Sequence, residues 1–179
     1  HNGEINTFRG NKNWMKVHEQ EMDSNLFEDI ENLKPVIQPG TSDSAALDNV
    51  FELLNISGQP APLAKLMLVP DAWSKKSKVL SKDHQQLFNF LNSTMEPWDG
   101  PAAIAGTDNE WVIAANDIYG LRSLRYTITK DKFLFAGSET GMIKLNEKKI
   151  LAKGRLGPGE IIGVRIEKGK LFTNEKIKN

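Results

Sequence analysis

Residues His1-Asn2-Gly3-Glu4-Ile5-Asn6-Thr7-Phe8-Arg9-Gly10-Asn11-Lys12-Asn13-Trp14 open this chain, and their reading decides how the rest is placed. Four of the fourteen are Asn and two are Gly, and the apolar positions keep no clear period. That composition predicts a tight, hydrogen-bonded loop rather than a helix or a plain strand. Asn2-Gly3 offers two adjacent donors, a side-chain amide and a backbone N–H with no Cβ in front of it. Such a pair can hold an oxyanion in an acyl-transfer site. Asn-Gly is also the strongest short hairpin signal, so on the dipeptide alone a plain turn competes with that reading.

Outward from this stretch the pattern turns helical. Trp14, Val17 and Met22, sparse among charged residues, predict a surface helix over about residues 13–22. Leu26, Phe27, Ile30 and Leu33 stand at helical spacing and predict a second short helix, stopped before Pro35. Pro39-Gly40 makes a turn, after which Ser42 reads as the N-cap of a helix running to about Leu54. Ala46, Leu47, Val50, Phe51 and Leu54 form its core-facing stripe, and Gly58 with Pro60 closes it. Leu63, Leu66 and Met67 predict another helix, ended by Pro70. Lys75-Lys76-Ser77-Lys78 reads as a solvated loop, and Ser81 as the cap of a helix to about Asn92 that buries Leu87, Phe88 and Leu91.

From Pro97 the pattern changes to short runs bounded by Gly, Pro, Asn or Asp. Residues 102–105, 111–115, 126–129, 133–137, 150–153, 161–166 and 170–173 read as strands. Helices first and strands second predict an α+β fold with antiparallel pairing.

The 179 residues suffice for one domain with a sizeable core. A hydrophobic content of 39%, a charged content of 26% and a formal net charge of zero are those of an ordinary globular chain. The neutral balance argues against a nucleic-acid or membrane-surface role. It conceals an asymmetry: residues 1–59 carry four Lys/Arg against ten Asp/Glu, and residues 144–179 carry ten against four. The two ends could attract each other, but solvated faces are the simpler expectation. With no cysteine, the chain can supply no disulfide, thiolate metal site, iron–sulfur ligand or cysteine nucleophile. No run approaches the eighteen or so apolar residues of a membrane span and no signal-peptide pattern opens the sequence, so a cytoplasmic protein is expected.

The opening stretch with Met15 resembles a signature of the glutamine amidotransferase domain of the glutamate synthase large subunit. Further matches follow in family order: Ser42-Asp43-Ser44 with Asp48-Asn49, Met67-Leu68-Val69-Pro70-Asp71-Ala72-Trp73, and Glu96-Pro97-Trp98-Asp99-Gly100-Pro101-Ala102-Ala103. Gly120-Leu121-Arg122 with Arg125-Tyr126, Ser138-Glu139, and Gly154-Arg155-Leu156 with Pro158-Gly159 complete the set. The resemblance covers essentially the whole chain. It implies part of a four-layer αββα sandwich of the N-terminal-nucleophile type. Residues 1–179 would be a single partial domain, the C-terminal half of the amidotransferase domain, and the start at His1 inside a motif reads as a fragment of a longer polypeptide.

The resemblance also implies roles. Asn2, through its side-chain amide, and Gly3, through its backbone N–H, would form the oxyanion hole while a cysteine attacks the amide of glutamine. Asp43 would bind the α-ammonium of glutamine by a charge-assisted hydrogen bond; read from position alone, it merely favours the first turn of a helix. The nucleophile and the arginine expected for the glutamine carboxylate would lie in a missing upstream half, so this chain alone should be inactive. No metal is expected: His18 and His84 are isolated, without ligand spacing. FMN and an iron–sulfur cluster would serve elsewhere in the full enzyme. Glutamine, the remaining domains of the polypeptide, and a small subunit or ferredoxin as electron donor are the implied partners.

Glu96-Pro97-Trp98-Asp99-Gly100-Pro101 reads as a rigid turn returning the chain to the sheet, with Trp98 packed and no catalytic role for Glu96 or Asp99. Residues 157–163 superficially resemble a dinucleotide loop, but the spacing, the proline and a following strand argue against it. The chain departs from the family in having Asp117-Ile118-Tyr119-Gly120-Leu121-Arg122-Ser123 for its usual Asp-Arg-Asn-Gly-Leu-Arg-Pro, and Arg165 at a commonly acidic position. The competing expectation is a non-catalytic binding or scaffold module that lacks the nucleophile.

Overall fold

The computed structural model describes residues 1–70 and 82–178. Asp71-Ala72-Trp73, the lysine-rich stretch 75–78 and the expected cap Ser81 lie outside the described residues. In chain order the elements are β1 (Asn2–Gly3), α1 (Phe8–Glu21), α2 (Asp43–Ile56), α3 (Ala61–Leu68), α4 (Lys82–Thr94), β2 (Ala102–Thr107) and β3 (Trp111–Asn116). Then follow β4 (Arg125–Thr129), β5 (Leu134–Gly137), β6 (Ile150–Arg155), β7 (Ile161–Arg165), β8 (Lys170–Phe172) and α5 (Asn174–Lys178).

Helix α2 shows how local sequence sets an element. Ser42 Oγ accepts the Ala45 N–H at 3.2 Å, a side-chain N-cap. Ala46, Leu47, Val50 and Leu54 are buried on one stripe. Gly58, at φ 93°, takes the left-handed conformation that ends the helix. Helix α3 has Pro62 in its first turn and is buried along almost its whole length. In α4, Phe88 and Leu91 are fully buried and Leu87 partly so.

Two expectations need correction. The opening stretch is not loop throughout: α1 begins at Phe8, five residues before the expected start. Asparagines and a glycine are weak helix formers, yet Asn11 and Met15 are buried on one face, with Phe8 and Met22 packed on the same core. The Asn11 amide donates to the Pro97 carbonyl at 3.0 Å. Tertiary contact therefore outweighs propensity. The helix expected over Leu26 to Leu33 shrinks to a single 3₁₀ turn, Ile30–Leu33. Asp29 accepts the Glu31 N–H and so competes with helical bonding, while Leu26 stays 68% exposed with no core to face.

Every strand pairing is antiparallel. A five-stranded sheet has the order β1-β2-β3-β7-β8, and a three-stranded sheet has β5-β4-β6. From β2 onward the strands begin and end within two residues of the sequence expectation, whereas β1 falls in the stretch expected to be loop. The large sheet is covered on both faces, as its inward-pointing residues show. Ile113, Ala115 and Ile161 meet Ala61 of α3 and Phe51 of α2. On the opposite face Ala103, Ala114 and Ile162 meet Tyr126 of the small sheet and Leu124 and Leu156, which flank its strands β4 and β6. The result is a helix–sheet–sheet stack, and the alternation of sides along each strand builds it. Among the described residues no ion pair joins residues 1–59 to residues 144–178, in keeping with solvated charged faces.

Candidate active site

The opening stretch reaches the edge of the large sheet and is held there by three segments distant in sequence. Asn2 stands opposite Ala103 and Gly3 opposite Ala102. The Glu4 N–H donates to the Pro101 carbonyl at 2.9 Å. The Asn6 N–H donates to the Asp99 carbonyl at 2.7 Å, and the Asp99 N–H returns a bond to Thr7 Oγ1 at 2.9 Å. Trp98, 2% exposed, anchors this clasp, its N–H donating to the Leu68 carbonyl at 2.7 Å. Glu96 Oε2 lies 2.8 Å from His18 Nε2, a side-chain hydrogen bond. Trp98, Asp99 and Pro101 of this turn hold the opening stretch through main chain and packing.

Bonds along an antiparallel ladder alternate between inward and outward pairs. Because Glu4 bonds toward β2, the main chain of Asn2 does so too, and the intervening Gly3 N–H points away from β2, off the sheet edge. The same parity appears on the partner strand. Ala102 turns its main chain the other way, its N–H donating to Asp117 Oδ2 at 3.1 Å and its carbonyl accepting the Asp117 N–H at 2.8 Å. Neither proposed donor is consumed by the ladder. The Asn2 side chain is exposed, and its amide makes no hydrogen bond among the described residues. Gly3 is required as glycine for a steric reason, since a Cβ there would collide with the Pro101 carbonyl oxygen.

Asp43 faces the same stretch from the first turn of α2. Its Oδ2 accepts the Ile5 N–H at 2.7 Å and its Oδ1 accepts the Ser44 N–H at 2.8 Å. The bond from Ile5 is the main cause holding the Asp43 carboxyl below the ordinary aspartate range, opposed by desolvation and aided by Ser44. The group is an anion at neutral pH with lone pairs to spare. Asp43 occupies the helix start, as its position alone predicts, and it also touches the opening stretch two residues beyond Gly3. Ser44 Oγ lies 3.4 Å from His1 Nε2, so the ring of His1 rests on the N-terminus of α2.

Sequence reasoning missed the role of Asp117. Its carboxylate, 1% exposed at the residue level, accepts main-chain N–H groups of Ala102, Tyr119, Leu121 and Arg122. Its carbonyl accepts the N–H groups of Gly120 and Gly159. The altered loop 117–123 therefore folds around one aspartate that also fixes Ala102, the residue opposite Gly3. The signal available was an Asp followed by Gly three residues later, the mark of a local side-chain-to-backbone turn. Gly120, at φ 67°, packs on Pro158. The Gly159 loop leads into β7 rather than a helix, so it lacks the helix N-terminus that a dinucleotide phosphate uses. Arg165 of β7 pairs with Glu110 at 3.1 Å on the surface. Among the described residues no group of three or more His, Asp or Glu side chains could hold a metal, and no helix is long and apolar enough to cross a membrane.

A helical layer on an antiparallel sheet, backed by a second such sheet, accounts for three of the four layers of the N-terminal-nucleophile sandwich, the class to which the family match assigns the chain. The chain belongs to the class-II glutamine amidotransferases, whose family model matches residues 1–179. It is 51% identical over 180 residues to the glutamate synthase [NADPH] large chain of Azospirillum brasilense, covering all of this chain and 12% of that one. Over 181 residues it is 43% identical to glutamate synthase [NADH] of Saccharomyces cerevisiae, covering all of this chain and 8% of that one. The ferredoxin-dependent glutamate synthase 2 of Arabidopsis thaliana is 39% identical over 181 residues, 99% of this chain and 11% of that protein. The chain thus spans about a tenth of the length of these relatives.

Proposed function

We propose that this chain is the C-terminal half of the glutaminase domain of a glutamate synthase, and that Asn2, Gly3 and Asp43 are its contribution to the site. In this reading a cysteine thiolate from outside residues 1–179 attacks the side-chain carbonyl carbon of glutamine. The carbonyl electrons move onto oxygen, and the Asn2 amide with the Gly3 N–H stabilises that charge. The C–N bond then breaks, a proton reaches the nitrogen, and ammonia leaves a glutamyl thioester. Water hydrolyses the thioester to glutamate and restores the thiol. Asp43 holds the α-ammonium and so places the carboxamide relative to the edge strand.

The observation that carries the reading is the bond from Ile5 to Asp43, which sets the anionic carboxylate two residues from an edge-strand glycine whose N–H points off the sheet. Ammonia released here would serve reductive amination of 2-oxoglutarate to glutamate in a cytoplasmic enzyme. FMN and an iron–sulfur cluster would supply the electrons in other domains. With no cysteine to offer, this chain does not fit a cluster itself. The names of the relatives span NADPH, NADH and ferredoxin, so the electron donor would be one of these, carried by a small subunit or a separate protein. The chain alone is expected to be inactive.

The test is Asn2→Ala in the intact polypeptide. Loss of one oxyanion donor lowers kcat for glutamine hydrolysis by about 10²–10³-fold. Stability should change by less than about 0.5 kcal/mol, because the Asn2 side chain is exposed and unpaired among the described residues. Undiminished hydrolysis would sink the oxyanion assignment, and no hydrolysis by the unaltered polypeptide would leave the scaffold reading.

A further inference from the structure

Helix α1 carries apolar residues on two faces. Asn11 and Met15 are buried on the inner one, with Phe8 and Met22 packed on the same core. On the outer one Trp14 stays 52% exposed and Val17 46%. Gly10, Trp14, Val17 and Glu21 follow one another at steps of four, three and four residues. At 3.6 residues per turn they form one stripe covering about 60° of the helix circumference. Gly10 and Glu21 are exposed as well.

Two features of this stripe are unfavourable for the helix by itself. Glycine weakens a helix interior, yet a Cβ built at Gly10 would meet no atom within 4 Å, so nothing among the described residues requires glycine there. The charges run against the helix dipole, which favours anions at the start and cations at the end. Arg9, Lys12 and Lys16 precede Val17, whereas Glu21 closes the helix and Asp23 lies just beyond it. Among the described residues none of these five forms an ion pair.

The stripe is also self-complementary. Its centre lies between Trp14 and Val17, with Gly10 and Glu21 equally far outside. Turned end for end against a copy of itself, it sets Trp14 against Val17 and Gly10 against Glu21, a larger residue facing a smaller one at each level. Arg9, next to Gly10, then comes within reach of the second copy's Glu21. A two-fold contact demands this kind of self-complementarity. The antiparallel arrangement also opposes the two helix dipoles and sets each cationic half against an anionic end.

We propose that this face of α1 docks a second copy of the same polypeptide, the two helices packing antiparallel about a two-fold axis. Charge selects the occupant: the face offers cations at one end and anions at the other, and a copy of itself supplies the reverse order. A seam of one helix on another buries less than about 1,200 Å², so the contact is weak and depends on concentration. The inference goes beyond the glutaminase reading and does not rest on it, since Asn2, Gly3 and Asp43 take no part.

Photo-cross-linking of the intact polypeptide tests this, with p-benzoylphenylalanine in place of Trp14 and an equal mixture of unlabelled and heavy-isotope-labelled copies. Mass spectrometry should find pairs of mixed label joining position 14 of one copy to residues around Val17 of the other, with a yield that rises with concentration. Arg9→Glu sets like charges together and should lower that yield by about fivefold or more. Adding Glu21→Arg to the same chain should restore it. Arg9, Trp14 and Glu21 are all exposed, so these substitutions leave the fold intact. Cross-links confined to single copies would overturn the proposal and mark another part of the same polypeptide as the cover. So would the absence of cross-links, a yield that Arg9→Glu leaves unchanged, or one that the double variant does not recover.

Discussion

Replacing Asp43 by Asn probes the contact that joins the helix start to the opening stretch. The two carboxylate oxygens accept separate main-chain donors, Ile5 at 2.7 Å and Ser44 at 2.8 Å. An amide has one acceptor oxygen, so its NH₂ must face one of these N–H groups and that bond is lost. Hydrogen bonds to a charged group contribute about 1.5–3 kcal/mol. Because the side chain is only half-buried and water can replace part of the bond, the lower end applies, about 1.5 kcal/mol. Urea denaturation should show a lower midpoint with an unchanged slope. The sign with pH follows from the carboxyl being held below the ordinary aspartate range, chiefly by the Ile5 N–H. Its stabilisation is complete above the unfolded-state value and fades as pH falls through the folded-state value. The gap between parent and Asp43→Asn should therefore be constant from neutral pH down to the ordinary aspartate range and shrink below it. A gap that does not change in acid, or no gap at neutral pH, would refute the reasoning.

Gly3→Ala should cost about 1–3 kcal/mol, because the new methyl meets the Pro101 carbonyl oxygen and must push β1 from β2; faster exchange at the Glu4 amide, which bonds Pro101, would report the displacement. Asp117→Ala leaves the N–H groups of Ala102, Tyr119, Leu121 and Arg122 without their shared acceptor. At about 1–3 kcal/mol for each donor that stays buried, a loss of about 3 kcal/mol or more is expected, seen as a fall in Tm of about 6–12 °C.

The strands from β2 onward were legible because each is a short β-prone run bounded by turn residues, as with Trp111–Asn116 before Asp117 and Ile161–Arg165 after Gly159. Helix α2 was legible from Ser42 and its apolar stripe for the same local reason. What could not be read locally depends on distant partners. Phe8 to Asn13 are helical because Asn11 finds the Pro97 carbonyl and Met15 finds the core, neither visible from propensity. Leu26 and Phe27 had the right spacing for a helix but no apolar surface for Leu26 to cover. Asn2, Gly3 and Asp43 were picked out by resemblance to a family, and nothing in their spacing revealed that Ile5 would bond Asp43 across 38 residues. Asp117 escaped notice because its function is to organise backbone, which a motif comparison does not display.

The account rests on where the negative oxygen sits during amide cleavage. A crystal structure of the intact polypeptide alkylated by a diazoketone analogue of glutamine would show it directly. The account predicts the ketone-derived oxygen about 3 Å from both Asn2 Nδ2 and the Gly3 nitrogen, with the analogue's ammonium on Asp43. An oxygen held by other donors, or an ammonium paired away from Asp43, would contradict it.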